Sequence, residues 1–130
     1  MKLLVDANLP PRLGRGLGEL FRGIHEVQHI VDKFGRCNLA DEDWVERLGQ
    51  EGGWCVLSGD RRIATKWPSR QLFIGAGLIG FFPQPSVMKL DHARQASRIL
   101  AVWHRLEITA ESMSSGCFEI GPRGDRLRAI

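Results

Sequence analysis

Two short apolar runs each lead into an aspartate: Leu3-Leu4-Val5 meets Asp6 directly, and Val56-Leu57 reaches Asp60 across Ser58-Gly59. Runs this brief and this apolar fit strands buried on both faces, as in a parallel sheet covered by helices. In such a sheet, ligands sit beyond the carboxyl ends of the strands. The repeat therefore predicts two carboxylates, from strands distant in sequence, delivered to one edge where they can converge on a divalent cation.

The segments between the runs read as helices. Leu9-Pro10-Pro11 starts one that continues to about Phe21, because proline is tolerated in a first turn, with Leu13, Leu17, Leu20 and Phe21 on its apolar face. Gly14, Gly16 and Gly18 each weaken it by roughly 1 kcal/mol relative to alanine. Ile24 to Val31 reads as a second strand and residues 32–38 as a loop. Asp41-Glu42-Asp43 opens a second helix, whose acidic first turn suits the macrodipole, and Trp44, Val45 and Leu48 form its buried stripe. Trp54 to Leu57 is a third strand, Arg61 to Ala64 a turn or short helix, Ser69 to Gly77 a helix and Leu78 to Phe82 a fourth strand. Ala96, Ile99, Leu100, Trp103 and Leu106 describe one long amphipathic helix over about 86–106. The tail from Cys117 to Ile130 reads as short strands or an extended arm. This alternation predicts an α/β fold with a central, mainly parallel sheet in one domain spanning residues 1–130.

Composition narrows the function classes. A hydrophobic fraction of 43% and a charged fraction of 25% are those of a soluble globular chain, and no apolar run approaches the ~18 residues of a membrane span. The start Met1-Lys2-Leu3-Leu4-Val5 is too short for a secretory core and predicts a cytoplasmic protein. Cys37, Cys55 and Cys117 are odd in number and lack C-x-x-C spacing, which excludes a disulfide framework and a thiolate zinc site and leaves incidental or buried thiols. The formal charge of +3 permits a polyanionic partner. Arg12, Arg15 and Arg22 share the first helix, and Arg61, Arg62, Lys66 and Arg70 surround Asp60.

The segments Leu3-Leu4-Val5-Asp6-Ala7-Asn8-Leu9-Pro10-Pro11, Ala40-Asp41-Glu42-Asp43-Trp44 and Val56-Leu57-Ser58-Gly59-Asp60-Arg61-Arg62-Ile63 occur in this order. Together, over roughly residues 1–85, they resemble the PIN-like domain family, and most of all its short members of the VapC toxin kind. The resemblance implies a three-layer α/β/α fold, with magnesium or manganese held by acidic residues and with RNA cleavage as the activity. By motif it implies metal-binding and catalytic roles for Asp6, Asp41 and Asp60, with Asp43 the alternative to Asp41. It also implies a cognate antitoxin protein as partner and a possible homodimer. In similar proteins the position of Asn8 is often acidic, and a further acid commonly stands where this chain has Arg62. A thinned acidic set implies the alternative of a catalytically weakened module that binds RNA or protein.

The chemistry stands on general grounds as well. Magnesium takes oxygen ligands, keeps several waters and is typically bound by one or two carboxylates plus substrate phosphate oxygens. Such an ion polarises a phosphodiester and makes its water more acidic. Asn8 and Ser58 are candidate oxygen donors beside it, and Arg12, Arg61, Arg62 and Lys66 are candidates to hold the phosphate backbone. Against this, Asp6 and Asp60 could each serve only as turn residues, and Asp41 as a helix cap.

His25-Glu26-Val27-Gln28-His29 matches the zinc-peptidase pattern H-E-x-x-H, a remote alternative as a zinc metallopeptidase. That chemistry needs a helix placing both imidazoles on one face. In a strand the two histidines would stand about 13 Å apart. His92 and His104, on the long helix, read as surface imidazoles. Trp44, Trp54 and Trp103 sit on apolar stripes and read as core, whereas Trp67, beside Lys66 and Pro68, reads as a substrate or partner contact. Gly75 to Gly80 follows a helix instead of opening one, so it is not a phosphate loop.

Overall fold

Each apolar run becomes a strand, and the computed structural model describes residues 1–36 and 38–130. Along the chain lie β1 (Lys2–Val5), α1 (Pro11–Leu20), β2 (Glu26–His29), α2 (Ile30–Phe34), α3 (Asp41–Glu51), β3 (Trp54–Leu57) and α4 (Arg62–Thr65). There follow α5 (Trp67–Gly75), β4 (Ile79–Pro83), α6 (Pro85–Met88), α7 (His92–Ala101), α8 (Trp103–Ser112), β5 (Gly116–Ile120) and β6 (Leu127–Ala129). The strands form one sheet in the order β2-β1-β3-β4-β5-β6. The first five strands are parallel, and only β6 runs antiparallel, against β5.

Successive side chains of a strand point to opposite faces, and here they enter two separate cores. Leu3, Val5, Cys55, Leu57, Ile79 and Phe81 pack with Leu13 and Leu17 of α1, Ile99 of α7, and Trp103 and Leu106 of α8. Leu4, Trp54, Val56 and Phe82 pack with Ile30, Trp44, Leu48, Ile63 and Phe73 from α2 to α5. The result is the expected three-layer α/β/α architecture. Burying a side chain of this size stabilises the fold by roughly 1.5–3 kcal/mol, so the two cores need no covalent tie. Cys55 and Cys117 are free and buried, and burial pushes the Cys55 thiol up to about 12. Cys37 lies outside the described residues.

From β1 the chain crosses to β2 on one side and then to β3 on the other. A crevice therefore opens at the carboxyl ends of β1 and β3, the place where such sheets take ligands. Val5 is in register with Leu57, so Asp6 and Ser58 emerge side by side.

Three expectations are corrected. The second strand is only four residues long, because the His29 imidazole accepts the Val31 N–H at 3.1 Å and caps α2, where a loop was expected. Gly35, with φ of 78°, ends that helix in the left-handed conformation. The long helix over 86–106 is three helices: Asp91 caps α7 by accepting the Arg94 N–H at 2.8 Å, and Val102 breaks the chain again before α8. The buried positions Ile99, Val102, Trp103 and Leu106 keep three- and four-residue spacing across that break, so periodicity alone reads straight through it. The helix expected from Ser69 begins two residues earlier, at Trp67.

Candidate active site

The crevice is built by a turn and a hydroxyl. The Asp6 N–H donates to the Leu57 carbonyl at 2.9 Å, and the Ser58 N–H to the Phe81 carbonyl at 3.0 Å, which extends the sheet ladder one residue past each strand. The Leu9 N–H then returns to the Asp6 carbonyl at 3.1 Å, closing a turn that brings Asn8 back over β3. Asp6 is 7% exposed. Its Oδ2 accepts the Ser58 hydroxyl at 2.7 Å and its Oδ1 accepts the Ala7 N–H at 2.7 Å. Ser58 in turn accepts the Asp60 N–H at 3.0 Å, and Asn8 Oδ1 accepts the Gly59 N–H at 2.9 Å. Ser58 and Asn8 thus tie the two aspartate loops together. Ser58 is fully buried, so its expected role at the substrate is corrected: it orients Asp6.

Asp60 and Asp41 complete the acidic group, in unequal states. Arg62 donates Nε to Asp60 Oδ1 at 2.9 Å, Nη2 to Oδ2 at 2.8 Å and its backbone N–H to Oδ1 at 3.1 Å. This guanidinium holds the Asp60 carboxyl below its usual range, with Lys66 adding a smaller pull. Asp41, the first residue of α3, accepts the Trp44 indole N–H at 3.1 Å. Burial pushes its carboxyl up, and the negative charges of Asp6, Asp60 and Glu42 push the same way against the Trp44 hydrogen bond. Asp41 therefore lies within the electrostatic reach of both other aspartates, while Asp43 is exposed. Asp41 is the helix acid whose carboxyl responds to the charges of Asp6 and Asp60.

As they stand, the three aspartates do not form a closed cage. Among the described residues, no three His, Cys, Asp or Glu side chains are placed to hold a metal ion together. In this arrangement Asp60 is occupied by its own arginine, and one oxygen of Asp41 by Trp44. The donor chemistry nevertheless suits a hard dication. Every donor is an oxygen, Asp41 carries repulsion that a cation relieves, and Arg62 marks with its guanidinium where positive charge belongs on Asp60. The Arg62 side chain is 71% exposed, so water can replace it at small cost.

The remaining basic residues are less uniform than expected. Arg12 on α1 and Lys66 at the entry to α5 are exposed. Arg61 turns inward, donating Nη2 to Glu119 at 2.8 Å, which corrects its expected role on the phosphate backbone. Glu119, 3% exposed on β5, was not singled out from sequence. Burial opposes its ionisation, but Arg61, Gln84 and Arg128 together hold its carboxyl below the usual range. An acid flanked by Phe118 and Ile120 in an apolar strand was the available signal.

The zinc-peptidase pattern dissolves in the structure. His25 Nε2 lies 2.7 Å from Glu107 and its Nδ1 3.1 Å from the Met1 amine. His29 is 1% exposed, with Nδ1 accepting the Val31 N–H and Nε2 bonded to the Leu9 carbonyl at 2.8 Å. Both rings are spent on the fold, and the segment is a strand, not a helix.

The class of the protein is that of a mostly parallel α/β/α sheet with carboxylates at its β1/β3 crevice. The family model described as PIN like domain matches residues 1–84, and the chain belongs to that family, whose members are generally nucleases that use divalent metal ions. No curated protein and no solved structure matches the chain. Among the described residues, no helix is long and apolar enough to cross a membrane.

Proposed function

We propose that this chain is a magnesium- or manganese-dependent ribonuclease, acting as the toxin half of a toxin–antitoxin pair. The supporting observation is the hydrogen-bonded joining of the Asp6 and Asp60 loops through Ser58 at the β1/β3 crevice of a PIN-like domain, with Asp41 near enough for their charges to push its carboxyl up. Asp6, fixed by Ser58 and the Ala7 N–H, and Asp60, once Arg62 turns away, are the residues that would hold the ion together with Asp41. A bound dication would supply Lewis acidity and a more acidic water. Asp41 keeps Oδ2 outside its bond to Trp44, which leaves that oxygen for the ion or for an attacking water. Arg62 and Lys66 are then available to phosphate oxygens.

Arg62 also favours a second reading. If its guanidinium stays on Asp60, the crevice binds RNA or a partner protein without cutting. Incubating the purified protein with single-stranded RNA and manganese separates the two. Cleavage that disappears in Asp6→Asn and in Asp41→Asn is expected, and intact RNA under those conditions selects the second reading. The toxin role predicts growth arrest on induced expression, relieved by a protein encoded in an adjacent reading frame.

A further inference from the structure

We infer that Trp67, exposed at the start of α5 beside Lys66, is a stacking platform for an unpaired base of single-stranded RNA. The inference rests on the nucleic-acid reading above and specifies which form of RNA the site takes. Trp67 is 69% exposed, whereas Trp44 and Trp54 are each 1% exposed and Trp103 6%. An exposed indole is the group that binds nucleobases irrespective of sequence, since every base has a π-face. Its neighbours have the charge that a polyanion requires. Lys66 precedes it and its charge already acts on Asp60, and Arg62 opens α4 five residues earlier, its side chain 71% exposed even while paired with Asp60.

The residue that follows the indole shares a cleft with one of the acids. Pro68, the next residue, lines a small opening of about 150 Å³ between α3 and α5 together with Asp41, Glu42, Val45, Ile63, Ser69 and Leu72. Asp41, which would face the scissile phosphate, is thus on the same cleft as the residue after Trp67. A strand whose phosphates run past Arg62 and Lys66 can set one base on the indole. A base inside a duplex cannot, because both its faces are covered by its stacked neighbours.

Acrylamide quenching of tryptophan fluorescence tests this, because the other three indoles are shielded. With metal chelated so that RNA stays intact, a short single-stranded RNA of mixed sequence is expected to shield Trp67 from acrylamide, and a long duplex at equal nucleotide concentration, in which few bases have a free face, is not. Trp67→Ala should weaken single-strand binding about 5- to 150-fold, and Trp67→Phe should recover part of the loss. Trp67→Ala should leave the manganese-induced rise in Tm unchanged. Equal shielding by duplex, or unchanged affinity in Trp67→Ala, overturns the platform. Shielding without any manganese response leaves the platform standing and removes the nuclease reading instead.

Discussion

At the scale of single residues, the crevice is a balance of charge that Arg62 holds. Because its guanidinium takes both oxygens of Asp60, it competes directly with any dication, and Arg62→Ala should bind manganese more tightly than wild type in a calorimetric titration. Ser58 has the opposite influence. It orients Asp6 and receives the Asp60 N–H, and loss of such an outer hydrogen bond typically costs 10–100-fold in metal affinity or activity, which is the range expected for Ser58→Ala. Asp41 gives a pH prediction. Its folded-state pKa lies above the ordinary value, so the folded protein binds the extra proton and metal-free stability falls as pH rises through that pKa. Asp60 is held low by Arg62, and its stabilising contribution is present above the ordinary carboxylate pKa and fades only as pH falls through the lowered one. Asp41→Asn should therefore gain Tm relative to wild type as pH rises from about 4 to about 7, measured with a chelator present. Asp6, Asp41 and Asp60 were legible in the sequence because each stands at the end of an apolar run or the start of a helix. The grip of Arg62 on Asp60 was not, since an arginine two residues from an acid turns towards it only when the turn between them is known.

At the scale of elements, α1 shows how a composition penalty can be a packing requirement. A Cβ at Gly18 would stand 2.7 Å from the Val27 carbonyl oxygen, and one at Gly14 would stand 3.0 Å from His29 backbone and side-chain atoms, so both glycines let α1 lie close against β2. A Cβ at Gly16 meets nothing within 4 Å. Gly16→Ala should stabilise the protein by about 0.5–1 kcal/mol, while Gly18→Ala should destabilise it, both read from urea unfolding. The sequence displayed the strands β1, β3 and β4 almost to the residue, because a strand buried on both faces leaves no polar interruption. It concealed α2, whose cap is the imidazole of His29, a residue type outside the usual capping set. It also concealed the breaks at Asp91 and Val102, which leave the spacing of buried residues intact.

At the scale of the whole molecule, the family match ends at residue 84, yet residues beyond it close one face of the sheet and brace the crevice. Ile99, Val102, Trp103 and Leu106 cover Leu3, Val5, Leu57 and Phe81, and Glu119 anchors Arg61 beside Asp60. A fragment of residues 1–84 should consequently lack near-UV circular dichroism and cooperative unfolding. This dependence was hidden from the sequence because Glu119 meets its partner only through the pairing of β4 with β5. The sheet with both covers in place is thus the unit on which the proposed function rests, and that proposal requires a cation site at the β1/β3 crevice. Calorimetric titration of manganese into the wild-type protein, Asp6→Asn and Arg62→Ala tests that requirement most directly. One site in wild type, lost in Asp6→Asn and tightened in Arg62→Ala, is the predicted result; binding of equal strength in all three proteins, or none in any, would contradict it.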